Sequence, residues 1–558
     1  MQIIGSVKQE WRYLLALAVL CAGMLFYGLG RLPLIGPDEP RYAEVAREMY
    51  LSGDWITPRL GGILWFEKPA LLYWMVAAGY RCLGVSEWSA RLGVALTASL
   101  GAALLFFFGR RVRSARFGYL SAATLVTSGM WVGFGRAATF DIPLAVTMEL
   151  ALLAFFVWEG GQASSNGGGA KRGAGNSGWW VCCFALGLAV LAKGLIGVLL
   201  PLGVMGPYLI ATGGLGRMLK RPGLLAVGAL IFVVTAGTWY GPMIARHGRE
   251  FIQEFFVAHH FQRFLTNKYH HPQPSYFFFA IALMGSFPWS CYLVAEAWQA
   301  VRGWRRVVLE PAERLRLFLW LWVIIPIIFF SLSSSKLPGY ILPIFPAVAL
   351  MIGRELEGWW SEAGLIRLRR LGALTATLVF IAALGVGWRG SRELGVSVRA
   401  SWVAAAVAMA VVLVYLGLLW RRSGRGAALF LPFGLIAVVI VAAHWLLPGL
   451  GVRESMRELS QVAAQAARPG ERLAFYINSE QSIHFYAPDL PLRDPHAELV
   501  TAMSPAEVAA LIEVQTAPSL LVISRERWSA DLIYDKLMDA EKLGAQRDLV
   551  LLRVSLRE

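Results

Sequence analysis

Asp38 sits in Gly-Pro-Asp-Glu-Pro, pinned between Pro37 and Pro40 just past the first long apolar run of the chain. A carboxylate held rigidly at a partly dry site is costly unless it has a partner or a task. Two tasks suit it: taking a proton, or pairing with a cationic group of a substrate. Asp141, in FDIP at the start of another apolar run, reads either as a second such acid or as a carboxylate placed to suit a helix N-terminus. Lys193, in LAKG between two apolar runs, is either an interfacial anchor or a phosphate contact. Lys336 and Tyr340 flank Leu-Pro-Gly in SSSKLPGY. A cation and a phenol on one short turn make a phosphate clamp, or else two interfacial anchors. The loop 245–274 carries His259, His260, Arg263, His270 and His271. A metal held by His260 with Glu67 is one reading; histidines that only hydrogen-bond are the other, since no HExxH spacing occurs.

Positioning these groups falls to membrane-spanning elements. Of the 558 residues, 57% are hydrophobic and only 16% charged, and the mean hydropathy is +0.55. Apolar runs of roughly 20 residues, the length that crosses a bilayer, recur along most of the chain. They predict an all-α polytopic bundle of about thirteen spans, from 12–32 to 427–448, with 117–134, 275–300 and 337–353 among them. The N-terminal run reads as an uncleaved first span with Lys8 and Arg12 inside. With that orientation the inner loops hold roughly twice as many basic residues as the outer ones, as the positive-inside rule requires. The run 71–84 is too short to cross, and a span there would reverse the bias, so it is placed at the interface.

Asp38, Arg41, Glu44, Arg47 and Glu48 then belong to the first outer loop, where helical spacing predicts an amphipathic surface helix. Glu44, Arg47 and Glu48 read as its solvated, ion-paired face, whereas Arg41, beside Asp38, is a candidate substrate contact. The interfacial helices occupy about 38–84 of a catalytic membrane domain, 1–448. An odd number of spans leaves 449–558 outside as a small α/β domain. ERLAFYIN, PSLLVISR and DLVLLRVS read as its strands, and SPAEVAALIEV as a helix capped by Ser504. The Gly/Ser-rich stretch 160–178 reads as a flexible inner connector.

Several function classes drop out. The net charge of +16 resides mainly in short loops between spans, the pattern of topology signals rather than of nucleic-acid binding. Five scattered cysteines form no CxxC pair. P-loop, GxSxG and Rossmann fingerprints are absent, so no nucleotide cofactor is indicated and the substrate must carry its own activation. A lipid flippase or transporter fits less well, because the charges gather at the outer surface and not at mid-bilayer.

GPDEPRYAEVAREMYLSGDWITPRL, FEKPALLYW, FDIP, LAKG, HHFQRF, GSFPW and SSSKLPGYILP together resemble the lipid A aminoarabinosyltransferases. These are membrane glycosyltransferases of the GT-C fold, related to the protein O-mannosyltransferases. The resemblance covers nearly the whole chain and implies an undecaprenyl phosphate-linked 4-amino-4-deoxy-L-arabinose donor and a lipid A phosphate acceptor. It also implies inversion at the anomeric carbon, a bacterial inner-membrane location with a periplasmic active site, and resistance to polymyxin-type peptides. By the same resemblance Asp38 and Asp141 are the catalytic acids, while Lys68, Arg263 and Tyr340 hold the carrier phosphate. Glu67 with a loop histidine such as His260 is a divalent metal site, zinc being the expected ion if one is used. A GT-C enzyme with another sugar or a protein acceptor is the alternative. Chemically, Lys68, Arg263, Lys336 and Tyr340 can stabilise the charge that builds on a leaving phosphate.

Overall fold

The computed structural model describes residues 2–165, 175–255, 273–358, 365–393, 395–421, 423–477 and 479–557. Among these, eight helices are each long and apolar enough to cross a bilayer, the first being Glu87–Val112 and the last Gly424–Glu454. Ser177–Lys193 and Ile196–Ala211 are apolar but shorter. Three expected spans are built from broken helices. The run 117–134 forms Ala115–Thr127 and Gly129–Gly135, parted at Ser128, where ψ is 132°. The run 275–300 forms Phe277–Gly285 and Ser290–Arg302, and 337–353 opens as a 3-10 turn, Pro338–Ile344, before Phe345–Glu357. Periodicity of apolar residues does not register such breaks, since each half keeps the same hydrophobic content.

The first loop is held on the bundle by local devices. Helix Asp38–Ser52 has Asp38 and Glu39 in its first turn, where the helix dipole favours them, and ends at Gly53 with φ of 72°. Strands β1 (Arg59–Leu60) and β2 (Ile63–Leu64) follow as a hairpin, whose Gly61 and Gly62 N–H groups donate to the Glu48 carboxylate. Helix Leu71–Leu83 has 13 residues, roughly 20 Å at 1.5 Å per residue, too short for a bilayer core. It packs between Asp38–Ser52 and Glu87–Val112. At Gly79 a Cβ would stand 2.5 Å from the Ser89 carbonyl, so only glycine permits that approach.

The C-terminal region carries a five-stranded sheet of β3 (Leu473–Tyr476), β4 (Thr501–Ala502), β5 (Ser519–Arg525), β6 (Met538–Gln546) and β7 (Leu549–Leu556) in the order β4-β3-β5-β7-β6. The strands expected in ERLAFYIN, PSLLVISR and DLVLLRVS are β3, β5 and β7. Strand β6, MDAEKLGAQ, is a charged edge strand whose polarity hides it from a search for alternating apolar residues. Helix Pro505–Val514 starts at Ser504, whose hydroxyl accepts the Glu507 N–H, while the Glu507 carboxylate accepts the Met503 N–H.

This region docks on the first loop. The Tyr486 hydroxyl accepts the Leu34 N–H at 2.8 Å and donates to Glu87 at 3.1 Å. Arg47 donates to the Phe485 carbonyl and lies over its ring. The docking corrects the solvated-face reading of Glu44. Its side chain is buried, ion-paired to Arg47 at 3.0 Å, and burial pushes its pKa up to about 8 despite Arg47. Helical spacing shows one face of Asp38–Ser52 as polar, but not that a distant segment covers that face.

Candidate active site

Asp38 opens its helix at the end of the bundle that bears the C-terminal sheet. Its carboxylate accepts a hydrogen bond from the Tyr42 hydroxyl at 3.2 Å and a long one from Arg41 at 3.5 Å, and its side chain is 52% exposed. Arg41 folds back so that Nε donates to the Pro37 carbonyl at 2.9 Å, with its guanidinium over the Trp65 ring. Burial works against the charge on Arg41. The fields of Glu67, the Tyr42 phenol, Asp38 and Glu498 outweigh it and raise its pKa. Burial, then the Asp38 and Glu67 carboxylates, hold the Tyr42 phenol protonated as a donor.

Glu67 and Lys68 stand beside this group. Lys68 Nζ lies 2.5 Å from Glu67 Oε1, and the Glu67 charge is felt at Arg41, Tyr42 and Tyr73. The Tyr42, Tyr73 and Phe140 rings meet edge to face, Tyr42 and Phe140 at 4.8 Å and Tyr73 and Phe140 at 5.3 Å. Phe140 immediately precedes Asp141, so this aromatic wall ties the Asp38 helix to the second acid.

Asp141 starts helix Asp141–Ser165 and is ion-paired to Lys193, Nζ to Oδ1 at 2.5 Å. Lys193 ends helix Ser177–Lys193, and its ammonium lies 5.6 Å from the centre of the Tyr340 ring. A Cβ on Gly339 would come within 2.9 Å of Asp141 Oδ1, so the Leu-Pro-Gly turn lies directly on this pair. Lys193 is thus partnered by the second acid, a pairing that spacing 52 residues apart does not announce. Lys336 turns into its own loop: buried, it donates to the Ser333 carbonyl at 2.7 Å. Asp38, Arg41, Glu67, Lys68, Asp141, Lys193 and Tyr340 gather at one end of the bundle. Arg263 and His260, with His259, His270 and His271, lie outside the described residues.

The reading from sequence missed the pair that fixes the two acids relative to each other. Glu39, buried beside Asp38, receives Arg91 Nε and Nη2 at 2.6 and 2.7 Å. The remaining Arg91 donors go to the carbonyls of Leu29, Leu32 and Pro33. Glu39 also accepts the N–H groups of Ile35 at 3.2 Å and Ala138 at 2.8 Å. One carboxylate therefore joins the loop before Asp38 to the loop before Asp141. An arginine near the start of an apolar run, in SARLG, was the available signal, because a buried guanidinium requires a counter-charge.

Comparison with known proteins adds an independent line. Residues 67–240 match the family model described as dolichyl-phosphate-mannose-protein mannosyltransferase. The chain is 30% identical to the undecaprenyl phosphate-alpha-4-amino-4-deoxy-L-arabinose arabinosyl transferase of Erwinia tasmaniensis, over 79% of this chain and 74% of that protein. It is 29% identical to the Edwardsiella ictaluri protein of the same name, over 90% of each. Its structure is similar to that of ArnT from Cupriavidus metallidurans bound to undecaprenyl phosphate, with a TM-score of 0.77, 25% identity, and 97% of this chain and 98% of that one covered.

Proposed function

The chain belongs to the undecaprenyl phosphate-alpha-4-amino-4-deoxy-L-arabinose arabinosyl transferases, and from that membership we propose how its residues carry out the transfer and to what acceptor. It is a multi-pass membrane glycosyltransferase that takes 4-amino-4-deoxy-L-arabinose from undecaprenyl phosphate. The acceptor is a lipid A phosphate, and the site opens on the periplasmic side of the inner membrane. The charge bias of the loops supports that sidedness, and the product, less anionic than its precursor, protects against polymyxin-type peptides. The observation that carries the reading is the convergence of Asp38, Arg41 and Lys68 with Asp141, Lys193 and Tyr340 around one aromatic wall.

In the reaction a lipid A phosphate oxygen forms a bond to the anomeric carbon. The bond from that carbon to the carrier phosphate oxygen breaks, and its electron pair leaves with undecaprenyl phosphate. The acceptor is already anionic and needs no general base, which frees Asp38 to hold the sugar ammonium and set the anomeric carbon in line. Asp38 suits this role because its own contacts are long and its side chain is half-exposed. Lys68 and Arg41 then face the leaving phosphate, where a preorganised cation is worth a few kcal/mol. Asp141 is already neutralised by Lys193, so it orients that ammonium toward the phosphate. Among the described residues no group of three or more metal-type ligands occurs, and Glu67 is held by Lys68. His260, the histidine expected beside Glu67, lies outside the described residues, and no step is assigned to an ion.

Asp38→Asn should abolish aminoarabinose addition to lipid A, read by mass spectrometry with purified protein and defined donor, while expression and folding persist. Normal polymyxin protection by cells carrying this variant would contradict the assigned role.

A further inference from the structure

The C-terminal region brings the turn Asp494-Pro-His-Ala-Glu498 to the catalytic mouth. The turn is closed on itself: Asp494 Oδ1 accepts the N–H groups of His496 at 2.8 Å and Glu498 at 2.9 Å. Asp494 N–H donates to the Glu498 carbonyl at 3.0 Å, and Ala497 N–H to the Asp494 carbonyl at 3.0 Å. Ala497 has φ of 63°, a left-handed conformation that a residue with a Cβ adopts at a cost. It is also fully buried, within the same apolar cluster as the membrane helices. A non-glycine residue keeps such a backbone only where its surroundings over-determine it. On one side of Ala497, Glu498 lies 3.7 Å from Arg41. On the other, the His496 imidazole interacts electrostatically with Glu254.

Arg41 is thereby shared. Its Nε is taken by the Pro37 carbonyl, Nη2 faces Asp38 at 3.5 Å and Nη1 faces Glu498 at 3.7 Å. Both ion pairs are longer than the roughly 2.7–2.9 Å of a closed charge-assisted hydrogen bond. A guanidinium drawn by two carboxylates closes on neither. Without the second one it would settle bidentate on Asp38, and the acid meant for the substrate would be occupied.

We propose that Glu498 is a positioning residue of the transferase site: delivered by the docked 494–498 turn, it holds Arg41 off Asp38 and turned toward the phosphate of the donor. This inference rests on the functional reading above, which supplies the roles of Arg41 and Asp38.

The test compares wild type, Glu498→Gln, Glu498→Asp, Arg41→Gln and the Arg41→Gln/Glu498→Gln double variant in steady-state transfer, with thermal unfolding measured alongside. Glu498→Gln should lower kcat about tenfold, within the range of coupling between contacting charged residues, with unfolding unchanged because the carboxylate is half-exposed. Glu498→Asp should restore most of kcat, and in the Arg41→Gln background Glu498→Gln should cost nothing further. Equal losses in both backgrounds, or full activity of Glu498→Gln, would overturn the proposal. A wild type that releases no product from the defined donor would instead overturn the functional reading itself, so the two failures are told apart.

Discussion

Replacing Arg91 by Met removes the counter-charge of Glu39 and five donated hydrogen bonds at once. Arg91 and Glu39 are 1% and 3% exposed, so water cannot readily take over. Breaking a buried ion pair by deleting one partner typically costs about 3–5 kcal/mol, because the other charge is left buried and alone. The freed carbonyls of Leu29, Leu32 and Pro33 add to that cost, each by about 1 kcal/mol or more where it stays dry. The variant should therefore unfold well below wild type in detergent. At temperatures where it remains folded it should still be nearly inactive, since Glu39 adjoins Asp38 and accepts the Ala138 N–H ahead of Asp141. Glu39→Gln on top of Arg91→Met should recover part of the lost stability, as no lone charge remains, but not the activity. Circular dichroism melts and a transfer assay read these outcomes. An Arg91→Met protein that melts with wild type and transfers normally would refute the claim that this pair fixes the two acids in place.

Lys193→Met leaves Asp141 uncompensated and takes a cation from the site, so kcat should fall about a hundredfold, the usual effect of removing one preorganised charge donor; activity above half of wild type would make Lys193 only an anchor. Lys68→Ala should weaken retention of undecaprenyl phosphate about tenfold or more in native mass spectrometry; equal retention would contradict its contact with the carrier phosphate. Glu44 has its pKa raised from 4.5 to about 8 in the folded chain, so folding favours the protonated acid. Its contribution is fully present below about pH 4.5 and is lost as pH rises through 8. Glu44→Gln removes that slope, and its unfolding midpoint should gain on wild type between pH 5 and pH 8, by the equivalent of a few kcal/mol. A constant difference across that range would place the titration elsewhere.

The order of spans was legible in the sequence because a bilayer demands continuous apolar length. The same demand explains what was not legible. A span can change from α to 3-10 at Pro338–Ile344, or break at Ser128, without losing apolar content. For the site, Asp38 could be singled out because prolines pin it just past an apolar run, and Asp141 because it opens another, both features local in sequence. Arg91 and Lys193 were harder. Their partners lie 52 residues away in each case, and no local spacing encodes a contact that only helix packing creates. Glu44 differs for a related reason: a polar helix face looks solvated until the distant Phe485 is found docked on its Arg47.

These pairings divide the charged residues into two kinds. Glu39 with Arg91 and Asp141 with Lys193 are closed at 2.5–2.7 Å, which fixes the loops and presents Lys193 in one orientation. The contacts of the Asp38 carboxylate and the ion pairs of Arg41 are 3.2–3.7 Å long, and Asp38 is half-exposed. An acid that must bind an ammonium cannot already be closed onto a neighbouring cation, since that pair would have to be broken on binding. The rigid pairs supply the preorganisation and the loose pair supplies the free valence. By the same logic the C-terminal turn is placed where it is: the one carboxylate it delivers sits at the loose pair and not at either closed one.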